Sequence, residues 1–202
     1  MTRVASRVVI DYDGKTALVV VDVQNDFADP GGGLYVHGGE TIVPRVNEEI
    51  HRATAAGAFV VYTQDWHPES TPHFEKDGGI WPVHCVKGTW GAEFHPDLEV
   101  VGPVVQKGSN GEDGYSGFTM RDPETGLDTP TRLRSLLVEQ DIEKVVVVGL
   151  ALDVCVKATA LDATEGFDTS VVVSATAPVD LQPGDGARAI EEMEANRVTI
   201  QG

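Results

Sequence analysis

The feature that most restricts the fold of this chain is a recurring set of short β-branched runs. They are Ala17 to Val21, Ala58 to Thr63, Pro103 to Gln106, Lys144 to Val148, Ser170 to Val173 and Arg197 to Ile200. Their apolar residues are consecutive rather than alternating, so both faces of each strand must be covered, as in a parallel sheet buried between helices. Helical patterns fall between the runs. Ile42, Val43, Val46, Ile50 and Ala53 mark an apolar face behind Thr41, which is the expected N-cap. Thr129 with Pro130 is expected to open a second helix carrying Leu133, Leu136 and Leu137. A third begins near Asp153 and runs towards Gly166, and a fourth covers Ala187 to Ala195. Alternating strands and helices with right-handed crossovers predict an α/β fold: three α/β/α layers around a six-stranded, mostly parallel, doubly wound sheet. No repeat or Pro/Ser-rich linker divides the chain, so residues 1–202 are read as a single domain.

Charge narrows the partners. Asp and Glu number 32 against 15 Lys and Arg, a formal net charge of −17, and no basic stripe is present to neutralise phosphates. Nucleic acid and anionic membrane are therefore excluded as expected partners, and the acidic excess reads as a solvated surface. The opening MTRVASRVVIDYDGKT lacks the apolar run of a signal peptide, and no segment is apolar for the length of a membrane span, which predicts a cytoplasmic protein. Two cysteines, Cys85 and Cys155, lie in unlike surroundings and do not suggest a disulfide.

Chemistry is concentrated where predicted strands end. Asp22 closes the first, Asp65 the second and Lys107 the third, while Cys155 follows the fourth by a short turn. Ligands of open parallel sheets bind at the carboxyl ends of strands, where strand order reverses, so these side chains are expected to converge on one crevice. A lone cysteine is more often a buried, inert hydrophobe. Here its position at a helix start beside a lysine is expected to favour the thiolate, with backbone N–H groups available for an oxyanion. Asp22 ends an apolar strand in VVVDVQNDF, where a carboxylate facing a thiol can act as general base and then acid, although a strand-end Asp also serves often as a cap or loop anchor.

A second constellation spans TQDWHPEST and WPVHC. Asp65 and His67 are two residues apart, hence on one side of an extended backbone, and His84 returns from the loop. One carboxylate and two imidazoles make a three-ligand set for a divalent ion, zinc first, with iron and manganese as alternatives. His73 is a weaker candidate supplement. Loops of unusual length, Pro30 to Gly39 and Pro68 to Pro96, are expected to rim the crevice. Phe27, Trp66, Trp81 and Tyr115 in and around them would form a slot for a planar ring, unless they merely cover core.

VVVDVQNDF, TQDWHP, GIWPVHCVKGT, the QKG…YSGF segment and GLALDVCV, in this order and spacing, resemble the nicotinamidase branch of the isochorismatase-like cysteine hydrolases. The resemblance covers most of the chain. It implies a triad of Asp22, Lys107 and Cys155, metal ligands Asp65, His67 and His84, and an oxyanion hole from the N–H groups of Ala151 and Cys155. It also implies a cis peptide between Leu150 and Ala151, and ring-binding residues Phe27, Trp81 and Tyr115. The implied reaction converts nicotinamide, or a related aromatic carboxamide, to the acid and ammonia through a thioester, in a salvage route to NAD. Self-association as a homo-oligomer is a further implication. The chain departs from the family pattern at Leu152 and Val154, before the nucleophile, and in the acidic loop from Ser109 to Gly114. Alternatives are a metal-free relative acting on another small amide or carbamoyl compound, an isochorismatase, and a catalytically idle association module.

Overall fold

The computed structural model describes residues 10–202, so the leader-free reading of the first residues falls in part outside them. In chain order the elements are β1 (Thr16–Val21), α1 (Asn25–Ala28), α2 (Gly39–Ala55), β2 (Phe59–Asp65), β3 (Val104–Lys107), β4 (Thr119–Arg121), β5 (Asp128–Pro130), α3 (Leu133–Glu139), β6 (Lys144–Leu150), α4 (Lys157–Ala163), β7 (Asp168–Ala177), α5 (Asp185–Ala195) and β8 (Thr199–Gln201). A π-helical turn, Leu152–Val156, leads from β6 into α4. Six strands form one sheet in the order β3-β2-β1-β6-β7-β8, and every pairing in it is parallel. The chain winds outward from β1 to β3, then returns to place β6 on the other side of β1. The reversal of direction therefore lies between β1 and β6, the place where such sheets open a crevice.

Alternation along β1 explains the two helical layers. Leu18 and Val20 face a core built with Ile42, Val43, Val46, Ile50 and Ala53 of α2. Ala17, Val19 and Val21 face the other way, onto Leu133 and Leu137 of α3, Val156 just before α4, Ala160 within it, and Met193 of α5. Every residue of β1 is buried, as the unbroken apolar run requires. At the β1–β6 seam the strands approach so closely that a Cβ on Gly149 (φ 111°) would lie 2.1 Å from the Val21 carbonyl oxygen, which leaves glycine as the residue that fits.

Two expectations about helix starts are corrected. Helix α2 begins at Gly39 behind Gly38, and Thr41 lies inside its first turn, its hydroxyl donating to the Gly38 carbonyl at 2.7 Å. Thr129 and Pro130 belong to β5, which pairs antiparallel with β4 as a separate two-stranded hairpin. The hydroxyl that accepts the Leu133 N–H is Thr131, at 3.1 Å. In both places the local cap signal was real in kind, but the tertiary path of the chain chose a neighbouring residue. Among the described residues no helix is long and apolar enough to cross a membrane.

Candidate active site

Register places the candidate catalytic groups side by side. Asp65 and Lys107 are direct partners across β2 and β3. Val21 pairs with Thr63, so Asp22 is the first residue beyond β1, where a positive φ of 49° turns it out of the strand. Cys155 arrives from the next strand over, β6, through the π turn. All four side chains therefore meet at the carboxyl edge of the sheet beside the strand reversal.

Lys107 is the centre of this cluster and is wholly buried, an uncommon fate for lysine unless its charge is matched. Its Nζ lies 2.8 Å from Asp22 Oδ2, contacts Asp65 Oδ1, donates to the Gly114 carbonyl and stands 3.9 Å from Cys155 Sγ. Asp22 also accepts the Thr63 hydroxyl at 2.7 Å. Asp22, Asp65 and Cys155 have ligand-type atoms within 4.8 Å of one another. That trio already encloses an ammonium, so its cation is part of the chain.

Burial works against the charged lysine, but the flanking carboxylates of Asp22 and Asp65 outweigh it and hold Lys107 firmly protonated. Burial pushes the Asp22 carboxyl up to about 6, with Lys107 opposing the shift. That value suits a group that must take and return a proton near neutrality. Asp65 is also pushed up by burial, yet Lys107 prevails and holds it well below the usual carboxylate range. For Cys155 the expectation of a favoured thiolate is corrected. Burial and the two carboxylates raise its thiol above the ordinary value despite Lys107, because the ammonium is already neutralised by Asp22 and Asp65. The thiol therefore needs a base, and Asp22 is within reach.

Beyond Lys107 the carboxylate of Asp65 faces a cluster of histidines. Its Oδ2 lies 3.7 Å from His67 Nε2 and 3.9 Å from His84 Nε2. A nitrogen each of His67, His73 and His84 lies within 4.8 Å of the others, and all three residues are buried. Burial lowers His84 to about 4 and also lowers His73, so both rings are neutral at pH 7 and offer a lone pair. His84 Nδ1 is 2.7 Å from the Pro82 carbonyl and His73 Nδ1 is 2.6 Å from Asp113 Oδ1. Both partners only accept, so each Nδ1 carries the proton and each Nε2 is free to ligate. His67 has no partner for either buried nitrogen. The neutral rings of His73 and His84, with the unpartnered ring of His67 beside an ionised carboxylate, fit a divalent metal better than any internal hydrogen-bond scheme. His67 is pressed against the backbone of Gly108 (φ 75°), where a Cβ would approach its Cε1 to 2.6 Å.

The cluster forms one wall of a narrow cleft with a cavity volume of about 30 Å³. Phe27, Trp81 and Tyr115 line it with Leu34, Val154 and Val179, and Cys155 and Ala151 lie among the lining residues as well. Trp81 Nε1 donates to the Tyr115 hydroxyl at 2.9 Å, joining the Pro68–Pro96 loop to the loop after β3 over the cleft. Trp66 does not join them, since it packs against the core under α2. The peptide between Leu150 and Ala151 is cis. The N–H groups of Val154 and Val156 both donate to the Ala151 carbonyl, at 3.1 and 3.0 Å, with the Cys155 amide between them. Sequence reasoning underrated His73 and missed Asp113. Their signals were present, a third histidine in the TPHF stretch and the unusual acidity of the Ser109–Gly114 loop, but only folding brings them together.

Comparison with known proteins gives the family and the fold. The model of the Isochorismatase domain matches residues 16–201. The nicotinamidase of Escherichia coli (strain K12) is 36% identical over 203 residues, covering 91% of this chain and 93% of that protein. The pyrazinamidase of Pyrococcus horikoshii, solved in complex with zinc, is 40% identical with a TM-score of 0.81, covering 92% of this chain and 98% of the other. PnC1 from L. infantum, solved in complex with nicotinate, is 33% identical with a TM-score of 0.84 and covers 96% of each chain.

Proposed function

The chain belongs to the isochorismatase domain family, and we propose that it is a cysteine amidohydrolase converting nicotinamide to nicotinate and ammonia, returning the ring to NAD synthesis. The observation that carries this reading is the buried Asp22–Lys107–Cys155 cluster, whose Cys155 lines a cleft together with Phe27, Trp81 and Tyr115. In this reading the ring packs between Phe27 and Trp81, with its carboxamide towards Cys155. Asp22 takes the thiol proton as sulfur attacks the carbonyl carbon, and Lys107 balances the negative charge that persists on the pair. The oxyanion is met by the backbone N–H groups of Ala151 and Cys155. Asp22 returns its proton to the departing nitrogen, which leaves as ammonia and gives a thioester. Water then loses a proton to Asp22 and attacks the thioester carbonyl, so the acid departs and the thiol is restored.

Asp65, His67 and His84, joined by His73, are the residues that would hold a divalent metal, zinc before iron or manganese. When bound, it supplies a Lewis-acidic anchor for a ring nitrogen or water. The chain's own thiol supplies the nucleophile. In this reading residues 1–202 act as one domain, cytoplasmic, without nucleic acid or membrane as partner, and able to self-associate.

Ammonia release from nicotinamide tests the reading. Wild-type protein should release one ammonia per nicotinate formed, and Cys155→Ala should release none while keeping its circular dichroism and melting profile. Turnover by a folded Cys155→Ala protein would refute the covalent route.

A further inference from the structure

The mechanism leaves the acidic loop after β3 unexplained, yet that loop reaches the histidine cluster. His73 Nδ1 lies 2.6 Å from Asp113 Oδ1. Among the described residues the three imidazoles are set in three different ways. His84 is oriented by a backbone carbonyl, that of Pro82, His67 has no partner on either nitrogen, and His73 is oriented by the side chain of Asp113. From this contact we propose that Asp113 is a positioning residue, which aims His73 Nε2 at the bound divalent cation and thereby sets the affinity of the site. The proposal rests on the metal reading above.

Asp113 is built to hold its aim. Its backbone N–H donates to Arg121 at 2.7 Å and its carbonyl accepts from Arg121 at 2.9 Å, which pins the loop to β4. The carbonyl of the next residue, Gly114, accepts the Lys107 ammonium. Two adjacent residues of one loop therefore fix a metal-ligand candidate and the catalytic ammonium together. A carboxylate accepting the distal N–H of a ligating imidazole fixes its tautomer and ring plane and makes it a better donor, an arrangement whose loss weakens metal binding by roughly 10–100-fold.

The test measures Zn²⁺ affinity by competition with a chromogenic chelator, and the ligand-field spectrum with Co²⁺, for wild type, Asp113→Ala, Asp113→Asn, His73→Ala and the Asp113→Ala/His73→Ala double variant. Asp113→Ala and His73→Ala should each bind Zn²⁺ about 10–100-fold more weakly. The double variant should be no worse than His73→Ala alone, since Asp113 acts through that ring. Asp113→Asn, whose amide oxygen can accept the same bond, should recover part of the loss. Wild-type affinity in Asp113→Ala beside a weakened His73→Ala would overturn the positioning role while leaving the metal reading intact. Additive losses in the double variant would overturn it too, by showing that Asp113 acts on the fold. A His73→Ala protein that binds like wild type would remove the ligand on which the proposal depends. Failure of the wild type to bind Zn²⁺ or Co²⁺ would instead end the metal reading itself.

Discussion

Replacing Gly108 by alanine tests a tight contact in the site, that between the loop after β3 and His67. The added Cβ would lie 2.6 Å from His67 Cε1 and 2.7 Å from Nδ1, whereas ordinary contact begins at 3.4 Å. The ring must retreat by nearly an ångström, yet it is fully buried and held between His73, stacked at 4.8 Å, and Phe74 at 5.5 Å. Overpacking of this kind costs about 1–3 kcal/mol. The left-handed backbone (φ 75°) adds about 1–2 kcal/mol for a residue with a Cβ. The stiffer unfolded chain offsets about 0.4–1 kcal/mol. The net loss is about 3 kcal/mol, within a range of about 1–5, a drop in Tm of roughly 6–12 °C for a domain of this size.

Gly57 supplies the control, because its φ of 74° is nearly the same and nothing lies within 4 Å of its Cβ position. Gly57→Ala should therefore lose only about 1 kcal/mol, the backbone strain less the entropy gain. Denaturant unfolding of the two variants separates collision from strain. Gly108→Ala should in addition lose at least about tenfold in Zn²⁺ affinity, as a displaced ligand predicts, while Gly57→Ala keeps it. Equal stability of the two variants, with unchanged metal affinity, would show that His67 does not rest on Gly108 and would refute the packing described for the site.

Three further outcomes follow from the same geometry. Because burial raises Asp22 to about 6 and the base must be ionised to take the thiol proton, kcat/KM for nicotinamide should fall about tenfold per unit as pH drops below 6; a limb near pH 4 would contradict it. Asp22→Asn should lose this limb along with nearly all turnover, at unchanged melting temperature or above, since a buried charge is removed. Asp153→Ala should cost about 1–3 kcal/mol in denaturant unfolding and raise KM, because Asp153 accepts the N–H groups of Val179 and Asp180 at 2.8 and 2.9 Å and Val179 lines the cleft; wild-type KM would show that this tie does not shape the cleft.

The amino-acid order by itself determined the layered sheet, since runs such as Thr16–Val21 are apolar at every position and can be stable only when both faces are covered. It also pointed to the groups proposed to carry chemistry, because Asp22, Asp65, Lys107 and Cys155 close or follow strands of the sheet, and parallel strands bring their carboxyl ends to one edge. Helix starts were less legible: a capping hydroxyl is a local signal, and Thr41 and Thr129 were displaced from that role by the path of loops that no local signal describes. Tertiary structure alone decided the state of the nucleophile, for the proximity of Lys107 to Cys155 suggests a thiolate until Asp22 and Asp65 are seen to consume the same positive charge. It alone decided the union of His73 with Asp113, forty residues apart. Spacing along a chain reports which side of a strand a residue occupies, whereas burial, the matching of charges and the direction of a ring nitrogen depend on neighbours that only the closed fold supplies.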